Sequence, residues 1–177
     1  MDYKQKFIEY YQANIHREGA DRLLEWLQTT DFFTAPASTR YHCACPSGLV
    51  QHSVNVYEVM MEKHFDPETD SAESFALCAL LHDVCKANYY HRDSDGWTVR
   101  DALPMGHGEK SVYLIQKYMD LTDEEALAIR WHMGAYDEDF RGGSRALGEA
   151  QDRCALVLAL HQADMRATQE EKRREGL

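Results

Sequence analysis

Apolar positions recur at three- and four-residue steps through most of the chain, the pattern of helices packed on a common core. Phe7, Ile8, Tyr11 and Ile15 form a stripe on a first helix, and Leu23, Leu24 and Leu27 mark a short second one. The segment DFFTAPASTRYHCACPSG interrupts the pattern with Pro, Ser and Thr and reads as a loop. From Leu49 the periodicity resumes, with Leu49, His52, Ser53, Val56, Val59 and Met60 on one face. Phe75, Cys78, His82 and Cys85 align next, on a run that is apolar from Phe75 to Leu81 and then ends on His82, Asp83 and Lys86.

The period changes between Asn88 and Leu103, where YYHRDSDGWTVR predicts a small β-hairpin turning at Ser94-Asp95-Gly96. Gly106-His107-Gly108 opens another helix, with Val112, Leu114, Ile115 and Tyr118 as packing residues. Thr122 followed three residues on by Glu125 is a capping-box pattern for a helix through His132, with Gly134 as its stop. DFRGGSRALG reads as a glycine-rich loop. A last helix then aligns Cys154, Val157, Leu158, His161 and Asp164, and its charged end is expected to fray in solvent. The prediction is an all-α, single-domain bundle with a small β-hairpin insertion. Residues 1–40 supply N-terminal helices packed on the bundle, 41–168 the main domain, and 169–177 a charged C-terminal tail.

A chain of 177 residues suits one domain with a real core. Its 19 basic and 30 acidic residues give a formal charge of −11, a poor surface for a long nucleic acid, which is held by clustered Lys and Arg. The terminal EKRREGL interleaves both signs. A small phosphorylated ligand held locally remains compatible with that balance. Five cysteines without a C-x-x-C pair argue for reduced thiols and a cytoplasmic setting. The N-terminus lacks an apolar signal region, and no run approaches the ~18 apolar residues of a membrane span. The oligomeric state is left open.

The nine histidines are spread along the chain, and several fall where a core residue is expected. His52 sits on an apolar helix face, His82 and Asp83 close an apolar helix, and His107 stands between glycines at a helix start. His132 falls in a helix's last turn and Asp164 on the final helix. Imidazole nitrogens with a few carboxylates suit Mn, Fe, Ni or Zn better than Ca or Mg. Taken singly, each has a plainer role: a hydrogen-bonded core histidine, a helix-end charge pair, a turn residue, a cation on a helix C-terminus. Only a bundle interior gathers groups so far apart in sequence.

Taken in order, the set resembles the HD-domain metal-dependent phosphohydrolase superfamily, whose motif is H…HD…H…H…D. The matching pieces are SGLVQHSVNV around His52, LLHDVCK around His82 and Asp83, GHGEKS around His107, IRWHMG around His132 and ADMRAT around Asp164. They run from about Tyr41 to Thr168. The GL-x-x-H-S and HD-x-x-K forms look most like HD domains of 3′-to-5′ exoribonucleases and cyclic-dinucleotide phosphodiesterases. Ser47 stands where the exoribonuclease-like pattern has glycine, and with no oligonucleotide-binding segment alongside, a long RNA substrate is not expected.

The resemblance implies that His52, His82, Asp83 and Asp164 hold one divalent transition-metal ion. Asp83 would bridge to a second ion completed by His107 and His132, with Mn favoured over Fe, Ni and Zn. It further implies hydrolysis of a phosphoester in a nucleotide, cyclic nucleotide or short oligonucleotide by a metal-bound hydroxide. Two cations ~3.5–4 Å apart would stabilise both the attacking and the leaving oxygen. Asp83 and Lys86 are then the candidate catalytic residues, Lys86 facing the substrate phosphate or making an ordinary salt bridge. Arg40, His42 and Lys86 are candidate substrate contacts. Tyr89, Tyr90 and Trp97 read as hairpin packing or base-stacking groups, and Glu109, Ser111 and His161 as supporting residues or core. His16, His64 and His91 read as surface residues. The alternatives are a mononuclear (d)NTP hydrolase or 5′-nucleotidase, and a non-catalytic nucleotide-sensing module.

Overall fold

Every residue from Phe75 to Leu81 is buried, so beyond its first turn helix α4 (Ala72–Leu81) has no solvent face and becomes the axis of the molecule. The computed structural model describes residues 2–177. Ser71 starts α4 by accepting the Ser74 N–H. Around it stand α1 (Tyr3–Asn14), α3 (Gly48–Lys63), α6 (Asp123–Arg130) and the long α9 (Ala155–Glu175), all packed on α4. The other helices are α2 (Ala20–Thr29), α5 (His107–Gln116), α7 (Glu138–Arg141) and α8 (Ala146–Arg153). A two-stranded hairpin, β1 (Tyr90–Asp93) with β2 (Gly96–Val99), pairs Tyr90 with Val99 and Asp93 with Gly96. The all-α architecture and the hairpin are as the periodicity predicts.

The expected capping box of α6 is formed: the Glu125 N–H reaches the Thr122 hydroxyl, and the Thr122 N–H reaches the Glu125 carboxylate. That carboxylate is wholly buried, and it is met by the Arg17 guanidinium at 2.6 and 2.7 Å and by the Ser74 hydroxyl at 2.7 Å. Arg17 also reaches Glu73 at 3.3 Å. One buried ionic knot therefore ties the α1–α2 connection to the starts of α4 and α6. Gly108, in the first turn of α5, lets that helix close on α6, because a Cβ there would lie 2.0 Å from the Arg130 carbonyl oxygen.

Three expectations are corrected. The glycine-rich stretch is not one loop but carries α7 and α8; α7 starts on Asp137, which accepts the Asp139 and Phe140 N–H groups, and α8 buries Leu147 and Ala150. Helix α6 ends at Arg130, so His132 lies in the turn beyond it. The charged end does not fray: α9 runs to Glu175, because Leu160, Ala163, Ala167 and Glu171 continue one buried stripe. Glu175 then accepts the Cys43 N–H at 3.0 Å, fastening the α2–α3 loop.

The candidate metal centre

Two helix ends aim two histidines in the same way. The last carbonyls of a helix lack intrahelical donors. After α4 the His82 ring uses Nδ1 against the Ala79 carbonyl at 2.9 Å, and after α6 the His132 ring uses Nδ1 against the Ile129 carbonyl at 2.7 Å. A carbonyl only accepts, so each Nδ1 carries a proton and each Nε2 is turned inward; burial keeps His82 neutral, whereas at His132 burial is outweighed by Asp83, which raises it. Asp83 follows His82 and leads into a 3₁₀ turn over Val84–Lys86. Its Oδ2 lies 3.5 Å from His82 Nε2, and its Oδ1 lies 3.6 Å from His132 Nε2.

His52, from the buried face of α3, enters from the other side. Its Nε2 is 3.1 Å from Asp164 Oδ1 on α9 and 3.9 Å from Asp83 Oδ2. Its Nδ1 faces Glu171 at 3.0 and 3.2 Å, and Glu171 also accepts from Asn55 Nδ2 at 2.7 Å. His52, His82 and Asp164 thus form one group with ligand atoms within 4.8 Å of one another. His82, Asp83 and His132 form a second, and His42, His52 and Glu171 a third.

Electrostatics separate these groups by what surrounds each. Burial pushes His82 down to about 4, leaving it neutral, and burial likewise takes His42 to about 4. Burial also opposes a charge on His52, but Glu171 and Asp164 on its two nitrogens outweigh that and raise it to about 10. Asp83 would be raised by burial, yet Lys86, His82 and His132 hold it well below the carboxylate range. Lys86 Nζ sits 2.7 Å from Asp83 Oδ2.

The donor set fits a divalent transition metal on an observation independent of motif. His82 Nε2, Asp83 Oδ1 and His132 Nε2 are buried and have no hydrogen-bond partner among the described residues. Buried polar atoms are nearly always satisfied, and His82, Asp83 and His132 form a group that could hold a metal ion. Nitrogen and carboxylate oxygen are the ligand types such ions take.

Not every candidate joins the cluster. His107, half-buried at the start of α5, belongs to none of the three groups; its Nδ1 lies 3.4 Å from Cys85 Sγ. Arg40 is exposed over the Tyr41 ring at 5.7 Å. His42 does approach, its ring centroid 4.8 Å from that of His52 and its buried Nε2 without a partner. Tyr90 is buried, with its hydroxyl donating to the Ala37 carbonyl at 3.4 Å, while Trp97 stacks under Arg92. Glu109 pairs with Arg130, and Ser111 accepts the Cys85 N–H. His161 Nδ1 donates to the His132 carbonyl at 2.7 Å, which makes it a prop for that turn.

Glu171 and Asn55 were missed by the sequence reading. Glu171 sits two turns beyond Asp164, and the spacing Leu160, Ala163, Ala167, Glu171 is the signal that reveals it. All five cysteines are free, and no helix among the described residues is long and apolar enough to cross a membrane.

Among comparisons with known proteins, the family model for the HD domain matches residues 49–167, a span holding all six motif residues but neither His42 nor Glu171. No curated protein and no solved structure matches the chain.

Proposed function

This chain belongs to the HD-domain family, and we propose that it is a metal-dependent phosphohydrolase acting on a small phosphoester, with a nucleotide or cyclic nucleotide the favoured class. The observation that carries this reading is the set of buried, partnerless acceptors His82 Nε2, His132 Nε2 and Asp83 Oδ1. Such groups are costly to bury together unless a cation lies among them. His52, His82, Asp83 and Asp164 would hold the ion, with His132 beside them. When bound, the ion supplies Lewis-acid polarisation of the phosphoryl group and acidifies water.

The chain's own groups do the rest. Asp83, ionised and 2 % exposed, offers a carboxylate shielded from bulk water. Lys86 rests on Asp83 Oδ2, and from beside that carboxylate its ammonium would stabilise negative charge developing on phosphoryl oxygens. Glu171 and Asn55 fix the His52 ring so that Nε2 faces the centre. His42, whose Nε2 is buried and without a partner beside His52, would be the other substrate contact. Arg40 is exposed and stands outside this set.

The fuller form of the reading has two ions, with His132 and His107 on the second and Mn²⁺ the first metal to try. The position of His107 outside all three ligand groups favours a one-ion form instead. Elemental analysis separates the two: about two equivalents per chain against about one. The test of the reading is product release from a nucleotide panel with added Mn²⁺, run beside a His82→Ala, Asp83→Ala variant. That variant should lose bound metal and turnover; full activity in it would end the assignment.

A further inference from the structure

Beside His107 the surface opens into a cavity of about 520 Å³, in the range of small-molecule sites. Its lining includes His107 and Met133, the residue that follows His132. Five carboxylates line it (Asp101, Glu109, Asp137, Glu138 and Asp139) against one lining cation, Arg141. Two cations behind the wall answer some of these acids. Lys110 pairs with Asp101 at 2.5 Å, while the single Arg130 guanidinium is divided among Glu109, Asp137 and Asp139 at 2.5–2.8 Å. Five carboxylates therefore face three cations, and the wall stays negative.

One carboxylate of the lining is open to a ligand: Glu138 is exposed and has no counter-cation among the described residues. Glu109 spends one oxygen on Arg130, and its other, Oε2, is shut away against Gly106. Gly106 also lines the cavity, as do Tyr89, Tyr136, Met105 and Met133, which give it apolar and aromatic surface.

We propose that this cavity receives the organic part of the phosphoester and selects a group that is uncharged or cationic and rich in N–H or O–H donors. A second phosphate or a carboxylate at that position is rejected. This rests on the reading of the metal centre as a phosphohydrolase. The physical basis is direct: an additional anion in a cavity whose carboxylates outnumber the cations around them meets like-charge repulsion that salt screens only in part. Donors on a planar or alkyl group instead meet the exposed Glu138 carboxylate beside tyrosine and methionine. Nucleoside monophosphates and aminoalkyl phosphates fit this description, whereas bisphosphates do not.

The test uses matched esters on the Mn²⁺-loaded protein. 2-Aminoethyl phosphate is compared with phosphoglycolate, and a nucleoside 5′-monophosphate with its 3′,5′-bisphosphate, by kcat/KM and separately by calorimetric binding. The first member of each pair should be favoured at least tenfold. Glu138 is exposed and makes no ion pair among the described residues. Glu138→Lys should therefore cut the preference about tenfold and Glu138→Gln about threefold. Equal kcat/KM within each pair, or a preference unchanged in both variants, overturns the proposal and leaves the hydrolase reading standing. Binding preference without turnover of any ester keeps the cavity's role and removes the hydrolase reading. Absence of both binding and turnover overturns the two together.

Discussion

Glu171→Gln is the most searching perturbation of the centre, because it changes one charge and almost no volume. The carboxylate accepts His52 Nδ1–H at 3.0 Å on one oxygen and Asn55 Nδ2–H at 2.7 Å on the other, and its side chain is wholly buried. An amide keeps only one acceptor. With its oxygen on Asn55, its nitrogen faces the His52 N–H donor to donor; turned over, it faces Asn55 in the same way. A hydrogen bond to a charged group contributes about 1.5–3 kcal/mol and a neutral one about 1 kcal/mol, so the loss is roughly 1–2 kcal/mol. Expressed through the orientation of His52, that predicts metal affinity weaker by about 5- to 30-fold, overlapping the range seen when a supporting group of a metal ligand is removed.

Competition titration of Mn²⁺ against a chelator measures the affinity. The ¹⁵N shifts of the His52 ring in metal-free protein report its protonation directly, which a general loss of stability does not move. Asn55→Ala should show a smaller effect in the same direction. Affinity within twofold of wild type, together with unchanged His52 shifts, refutes the positioning role of Glu171.

Other expectations follow from the same contacts. Arg17→Met leaves the buried Glu125 carboxylate unpaired and should cost about 3 kcal/mol, a fall in Tm of roughly 6–12 °C by calorimetry. Burial would raise the Glu125 carboxyl, but Arg17, the Thr122 N–H and Ser74 hold it below its ordinary 4.5. Its contribution is therefore present above about pH 4.5 and lost as pH falls through the lower folded value, so acid titration of Glu125→Gln should be flatter in that window. Gly134→Ala puts a side chain on a residue at φ +54° and a Cβ 2.4 Å from the His161 ring that props His132. It should destabilise by about 1–3 kcal/mol in thermal melts and weaken metal binding as well. Lys86→Ala removes the ammonium that sits on Asp83, so metal should bind more tightly while turnover falls, read by titration and initial rates.

The sequence by itself determined the helices, the hairpin, the capping box of α6 and the identity of the six motif residues. These are local properties: a three- and four-residue period, a two-residue alternation around a turn, and a short polar signal at a helix start. It also announced that His82 and Asp83 close an apolar helix, since seven apolar residues in a row precede them. Tertiary structure alone decided which residues converge. His132 enters the cluster from a turn rather than a helix, because its ring caps the Ile129 carbonyl. His107 and Arg40, equally conspicuous in the sequence, stand outside the three ligand groups, while Glu171, hidden in a charged terminus, stands at the centre of the His52 support. Periodicity fixes which side of its own helix a residue occupies. How far two such sides approach is set by the packing of α3, α4, α6 and α9, and distance is what separates a ligand from a neighbour.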